Sequence, residues 1–262
     1  MNRGKKMKHI YITALLLLAA LLPLGGRAQQ YTGISGLIHV PSADMHHEGD
    51  TRIGIHNLNK EMLPDVGFLT NGEKYNTYDY YLSITPYSWM ELSYMCTKRM
   101  DMVNGKPEYR RKDRNFSIKL RPLREGKYWP AVAIGCNDIG TSIASSVTST
   151  STNVQLYFQN YYVAATKHFL FSDNELGVTL AYRHFTREYN DKWNGLVGGI
   201  TFRPSFFPQA RAIAEWTGNE FQVGIDALLF RHLLIQASLK DFKYPNVGLC
   251  FQMNLLGHRY KY

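Results

Sequence analysis

The chemistry this sequence holds lies in charged side chains that recur at alternate positions along hydrophobic stretches. Asp79, Glu91, Lys119, Arg121, Lys167, Arg183, Arg203, Arg211, Glu215, Asp226 and Lys240 each fall on the polar side of an alternating segment. Facing one another across a barrel interior, charges of both signs would either pair into a stiff filling or line a polar path for a hydrophilic, anionic solute. Catalytic chemistry has less behind it. There is no G-x-S-x-G elbow, no phosphate-cradling Gly-rich loop and no H-E-x-x-H. His168, His184, His232 and His258 fall at strand ends or turns, and parity places no Ser beside them on the outer face, where a barrel lipase would need one. The expectation is a protein that is not an enzyme and uses no cofactor.

Metal and redox chemistry are equally thin. His46-His47-Glu48 groups three donors, but adjacent ligands in one loop point in different directions and no second cluster completes a site, so a solvated loop and no metal are expected. Cys96, Cys136 and Cys250 are an odd set without metal-ligand spacing, and read as small buried hydrophobes in three separate strands.

The elements that must position these charges are strands. From 220 to 256, Phe221, Val223, Ile225, Ala227 and Leu229 alternate with Glu220, Gln222, Gly224 and Asp226. Leu233, Ile235, Ala237 and Leu239 then alternate with Gln236, Ser238 and Lys240, and Val247, Leu249, Phe251, Met253 and Leu255 with Asn246, Gly248, Cys250, Gln252 and Asn254. Successive side chains of a strand face opposite ways. Large apolar residues against small polar ones is the inside-out order of a membrane barrel, oily to lipid and polar to the lumen. The pattern predicts about twelve strands near 51–59, 76–85, 89–97, 115–123, 129–137, 157–167, 175–183, 194–203, 210–217, 220–230, 233–241 and 246–256, forming a transmembrane antiparallel up-and-down β-barrel. Connections at 60–75, 98–114 and 138–156 are long, and 184–193 is intermediate. Short turns lie between them at 86–88, 124–128, 170–174 and 204–209, as short periplasmic turns and longer external loops require. The Ser/Thr run at 145–153 reads as a surface loop.

Residues 1–28 read as a signal peptide: Arg3, Lys5, Lys6 and Lys8 precede an apolar run from Ile10 to Leu24, and Gly26-Arg27-Ala28 offers small residues for cleavage after Ala28. The run is shorter than a spanning helix needs. Its loss removes five basic residues with Arg27 and lowers the formal net charge from +9 to +4, which gives no ground for nucleic-acid binding. Residues 29–50 are turn-rich, with Gly33, Gly36, Pro41 and Gly49, and read as a periplasmic lead-in, an extra strand or a plug. Residues 51–262 form the barrel. Its end carries two loose copies of a closing signal for barrel-assembly machinery, one from Asn246 to Met253 and one at Gly257, Tyr260 and Tyr262.

Three stretches resemble the YjbH family of exopolysaccharide-associated outer-membrane proteins. The first is Gly36-Leu37-Ile38 with Pro41-Ser42-Ala43, Met45 and Gly49. The second runs Asp113-Arg114-Asn115-Phe116, Lys119, Arg121, Leu123 and Glu125, then Tyr128-Trp129-Pro130-Ala131-Val132-Ala133, Gly135, Asp138 and Gly140-Thr141. The third is Tyr161-Tyr162-Val163-Ala164-Ala165-Thr166-Lys167, where the family more often has Ser before the Lys; Glu215-Trp216 is a weaker echo. The resemblance implies an outer-membrane barrel of a Gram-negative-type bacterium, in a single-barrel short form, associated with machinery that makes or exports extracellular polysaccharide. It carries over no catalytic residue.

Together these readings give a monomeric outer-membrane barrel that serves exopolysaccharide or capsule secretion or surface organisation, as conduit component or scaffold. The expected partners are outer-membrane lipid, the barrel-assembly machinery during biogenesis, polysaccharide and periplasmic export components. The alternatives are a general small-solute channel, a lipid-modifying barrel enzyme and a soluble periplasmic β-protein.

Overall fold

Alternation of oily and polar side chains leaves a strand only one way to satisfy its backbone in lipid, which is to pair on both edges until the sheet closes. The computed structural model, which describes residues 29–64, 68–140 and 156–257, shows such a closed barrel. Its strands are β1 Asp50–Leu58, β2 Thr77–Tyr87, β3 Met90–Val103, β4 Lys106–Leu123, β5 Ala131–Asn137 and β6 Asn160–Phe171. They continue as β7 Asn174–Phe185, β8 Gly195–Arg203, β9 Ala210–Trp216, β10 Phe221–Leu229, β11 Leu233–Lys240 and β12 Tyr244–Asn254. Each pairs antiparallel with its sequence neighbours, and β1 closes on β12 with Ile55 opposite Leu249. A small hairpin, Leu69–Thr70 with Glu73–Lys74, and two 3-10 turns, Lys60–Met62 and Glu188–Trp193, sit in the connections. The leader, the Ser/Thr run and the second closing signal at Tyr260 and Tyr262 lie outside the described residues.

Side chains sort as the pattern demands. On β12, Val247, Leu249, Phe251 and Met253 are exposed while Asn246, Cys250 and Gln252 are buried; on β10, Phe221 and Ile225 are exposed while Gln222 and Asp226 are buried. Aromatic pairs sit at both ends: Tyr87 stacks on Trp89 near one and Phe221 meets Phe242 near the other. Interfacial girdles of this kind flank the apolar band of outer-membrane barrels.

Three expectations need correction. Residues 98–114 are not a loop. β3 and β4 run on as a paired hairpin to an Asn104-Gly105 turn, both residues at positive φ, because backbone pairing continues after hydrophobic alternation stops. The interior is not uniformly polar either, since Tyr81, Met95, Tyr162, Ile213, Leu228 and Leu234 point inward and are buried. And His46 is buried, not in a solvated loop.

Candidate functional site

What those inward apolar residues cover is the chain's own first described segment. Residues 29–46 are buried and cross the lumen. Tight turns shape the segment: Gly33 N–H donates to Gln30 O at 2.9 Å with Gly33 at φ 81°, and Leu37 N–H donates to Val40 O at 3.0 Å. Leu37, Ile38 and Val40 pack with Tyr162, Ala164, Ala181, Val197 and Ile213 of β6–β9. Two wall glycines make room. A Cβ on Gly199 would come within 2.5 Å of Leu37 Cδ2, and one on Gly224 within 2.8 Å of Ile38 Cδ1.

Carboxylates on opposite walls hold its backbone. Glu215 on β9 accepts from the consecutive amides of Ile38 (3.0 Å), His39 (2.8 Å) and Val40 (3.1 Å). Successive N–H groups turned to one anion form a nest, which replaces the water the carboxylate loses on burial. Six strands away, Glu91 on β3 accepts from Ser35 N–H (3.0 Å) and His46 N–H (2.6 Å), and lies 2.7 Å from Ser35 Oγ. Its cross-strand neighbour Lys119 donates to Ser35 O (2.9 Å), Ser35 Oγ (2.7 Å) and Asp44 O. Arg183 donates to His39 O (3.0 Å), Thr217 O (3.1 Å) and Trp193 O (3.2 Å). Thr166 Oγ1 accepts from Ala43 N–H at 2.9 Å.

The remaining charges lie elsewhere. Arg211 pairs with Asp226 at 3.1 Å across β9 and β10, both buried. Lys240 pairs with Glu220 at 2.8 Å and also donates to Glu61 O. Arg203 meets Glu175 at 3.4 Å near the short-turn end. Asp79 lies beside Thr97, which lies beside Asp113, in one buried row across β2, β3 and β4. Asp138 comes directly after β5 at the long-loop end, and burial, then the Asp113 charge, push its carboxyl up to about 8. Arg99 stacks 4.7 Å over Phe68 and 4.4 Å over Tyr157.

Two residues placed in the lumen by parity are not there. Arg121 lies within the register shift between Leu120 and Leu123, is half-buried, and donates to Ser88 O at 2.8 Å. It lines a groove on the outer surface with Trp89, Leu120, Arg124 and Ile134. Such a bulge adds one residue and re-aims the side chains beyond it. Lys167 takes the outward parity of β6, whose inward set is Asn160, Tyr162, Ala164, Thr166 and His168. Its ammonium reaches Glu125 Oε1 at 2.9 Å. Glu125 also accepts from His168 N–H (2.9 Å) and lies 2.7 Å from His168 Nδ1. Partial burial pushes Glu125 upward, but the His168 and Lys167 hydrogen bonds outweigh it and hold the carboxyl below its ordinary value.

In the sequence Asp113 and Thr166 stand out only within the family stretches, Arg99 and His39 not at all, and the pairing of wall carboxylates with amides far away in the chain has no local signal. All three cysteines are free. Among the described residues, no group of three or more His, Cys, Asp or Glu is arranged to hold a metal ion.

Among known protein families, a model described as "Exopolysaccharide biosynthesis protein YbjH" matches residues 28–254. No curated protein matches the chain. Among solved structures, outer membrane phospholipase A from Escherichia coli is similar at 11% identity and a TM-score of 0.36, over 80% of this chain and 98% of that one. The Salmonella typhi outer membrane phospholipase dimer with bound calcium is similar at 11% identity and a TM-score of 0.35, over 79% and 91%. The expectation that the chain is not an enzyme does not stand beside these phospholipase structures, and a missing motif by itself excludes no catalysis. Likeness at this level transfers no residue or activity. With its family model spanning most of the sequence and its barrel oily outside, this chain belongs to the YjbH family of exopolysaccharide biosynthesis proteins and is an outer-membrane β-barrel.

Proposed function

We propose that this protein serves exopolysaccharide secretion or surface organisation as a closed scaffold, with residues 29–46 acting as a plug. It becomes a conduit only when that segment is displaced. The grip of Glu91 and Glu215 on the plug's amides from opposite walls carries this reading. A carboxylate satisfied by two or three amides is costly to strip, because each group left buried without a partner costs about 1–3 kcal/mol. Against an open solute channel, residues 29–46 are buried throughout and packed against β6–β9 on one side while hydrogen-bonded to Glu91 on the other. On this reading the leader is removed after Ala28. The mature chain then reaches the membrane through the barrel-assembly machinery and works with periplasmic export components.

Two measurements test it. Deleting the gene is expected to change extracellular or capsular polysaccharide, and an unchanged profile inside and outside the cell would sink the assignment. In planar bilayers the intact protein is expected to stay closed, whereas a variant lacking residues 31–45 conducts steadily. Equal steady conductance of the two would show that the segment is not a plug.

A further inference from the structure

The β3–β4 hairpin rises past the rest of the barrel wall, and its outward side chains change character row by row. The register sets Leu82, Tyr94 and Phe116 side by side; above them stand Tyr80, Cys96 and Arg114, then Tyr78, Lys98 and Lys112. The lowest row is oily, with Phe116 51% exposed. The two upper rows place three cations on the same outward face, over tyrosines, directly above the apolar band. Inward neighbours at the same height, Thr97, Arg99, Asp113 and Asn115, are all buried, so these cations point away from the lumen.

The arrangement is unfavourable without a counter-ion. Lys98 stands directly opposite Lys112, and like charges in that position repel. Among the described residues neither Lys98, Lys112 nor Arg114 forms an ion pair, although Arg111 close by takes Asp101 at 3.0 Å. Lys98 rests over the Tyr80 ring at 5.6 Å. Two ammoniums and a guanidinium on one face match a phosphate, which a guanidinium engages through paired hydrogen bonds. Tyrosines at that level suit a sugar ring or a headgroup edge.

The end bearing the short turns and the N-terminal plug faces the periplasm, so this hairpin stands on the outer side. We propose that the outward face of Lys98, Lys112 and Arg114 binds the phosphate of a glycolipid headgroup in the outer leaflet. The inference rests on the outer-membrane reading of the barrel and not on its role with polysaccharide. A soluble acidic polysaccharide is the lesser fit, because it need not meet side chains that face the lipid just above hydrocarbon.

The test uses full-length protein in nanodiscs containing phosphatidylethanolamine and a bis-phosphorylated lipid A, with bound lipid read by native mass spectrometry. Wild type is expected to retain lipid A, and a K98Q/K112Q/R114Q variant to lose it by at least about tenfold. Dephosphorylated lipid A should not be retained, and raised salt should weaken retention. Lys127→Gln, at the opposite rim, should behave as wild type. The heat-dependent gel shift of a folded barrel reports folding, and Lys112→Gln alone should show a graded loss if the triple variant fails to fold. Equal retention by wild type and variant overturns the proposal, as does displacement of lipid A by excess polygalacturonate. An unchanged polysaccharide profile on gene deletion would remove the proposed function and leave this binding intact.

Discussion

Glu215 accepts three amide hydrogen bonds from Ile38, His39 and Val40, and no single oxygen of it could hold all three. Converting it to Gln turns one acceptor oxygen into a donor that faces amide donors. At least one N–H is then left buried without a partner, at a cost of about 1–3 kcal/mol. The loss falls on the plug and not on the β9 ladder, which the substitution leaves paired. Glu215→Gln is therefore expected to speed chymotrypsin cleavage at Tyr31 and Leu37 while the folded barrel keeps its gel mobility. Glu175→Gln, which disturbs only the partly exposed contact with Arg203, should leave cleavage unchanged. Equal cleavage of Glu215→Gln and wild type would mean that the carboxylate does not hold the segment. Parity placed Glu215 and Glu91 on the polar face. That their partners are amides of residues 35–46 was beyond reach, because such contacts depend on closure of the whole barrel.

At the scale of elements, a strand is legible where its two faces meet different solvents, and illegible where they do not. β10, β11 and β12 could be read residue by residue for that reason. β4 could be read only as far down as Asn115, since both faces of Lys106–Lys112 are exposed and the sequence there carries no period. The Asn104-Gly105 pair was the one available signal that the hairpin continues. The register shift at Leu120/Leu123 and the outward turn of Lys167 fall where strands meet short turns, and both bring their side chains to the rim around Ser88 and Glu125. That rim has a pH signature. Held below its ordinary value, Glu125 stabilises the turn fully above the unfolded carboxyl value of about 4.3, and loses that contribution as pH falls through the folded value. The temperature of the barrel's gel shift should therefore fall more steeply in wild type than in Glu125→Gln below about pH 4.3. Parallel curves would remove Glu125 from any part in holding β6 to the 124–130 turn.

For the whole molecule, the governing fact is that the surface is oilier than much of the interior. Leu249 lies midway along β12, 44% exposed, with Ile55 opposite on β1 and Ile235 opposite on β11. In a soluble β-protein such a position faces water, and an arginine there would change stability by no more than about 0.5 kcal/mol. In a membrane barrel the same position faces hydrocarbon near the midplane, where an arginine costs about 2–4 kcal/mol, falling to about 0–1 at the interface. Leu255, just past the end of β12 and also exposed, provides the interfacial comparison. Urea unfolding in phospholipid vesicles should thus show Leu249→Arg destabilised well beyond Leu255→Arg. A matching pair of small effects would mean that the oily face does not meet lipid. The depth dependence separates the two solvents more cleanly than fractionation does, because a misfolded chain also pellets with membranes, whereas a cost that grows toward the bilayer centre requires a folded barrel spanning it.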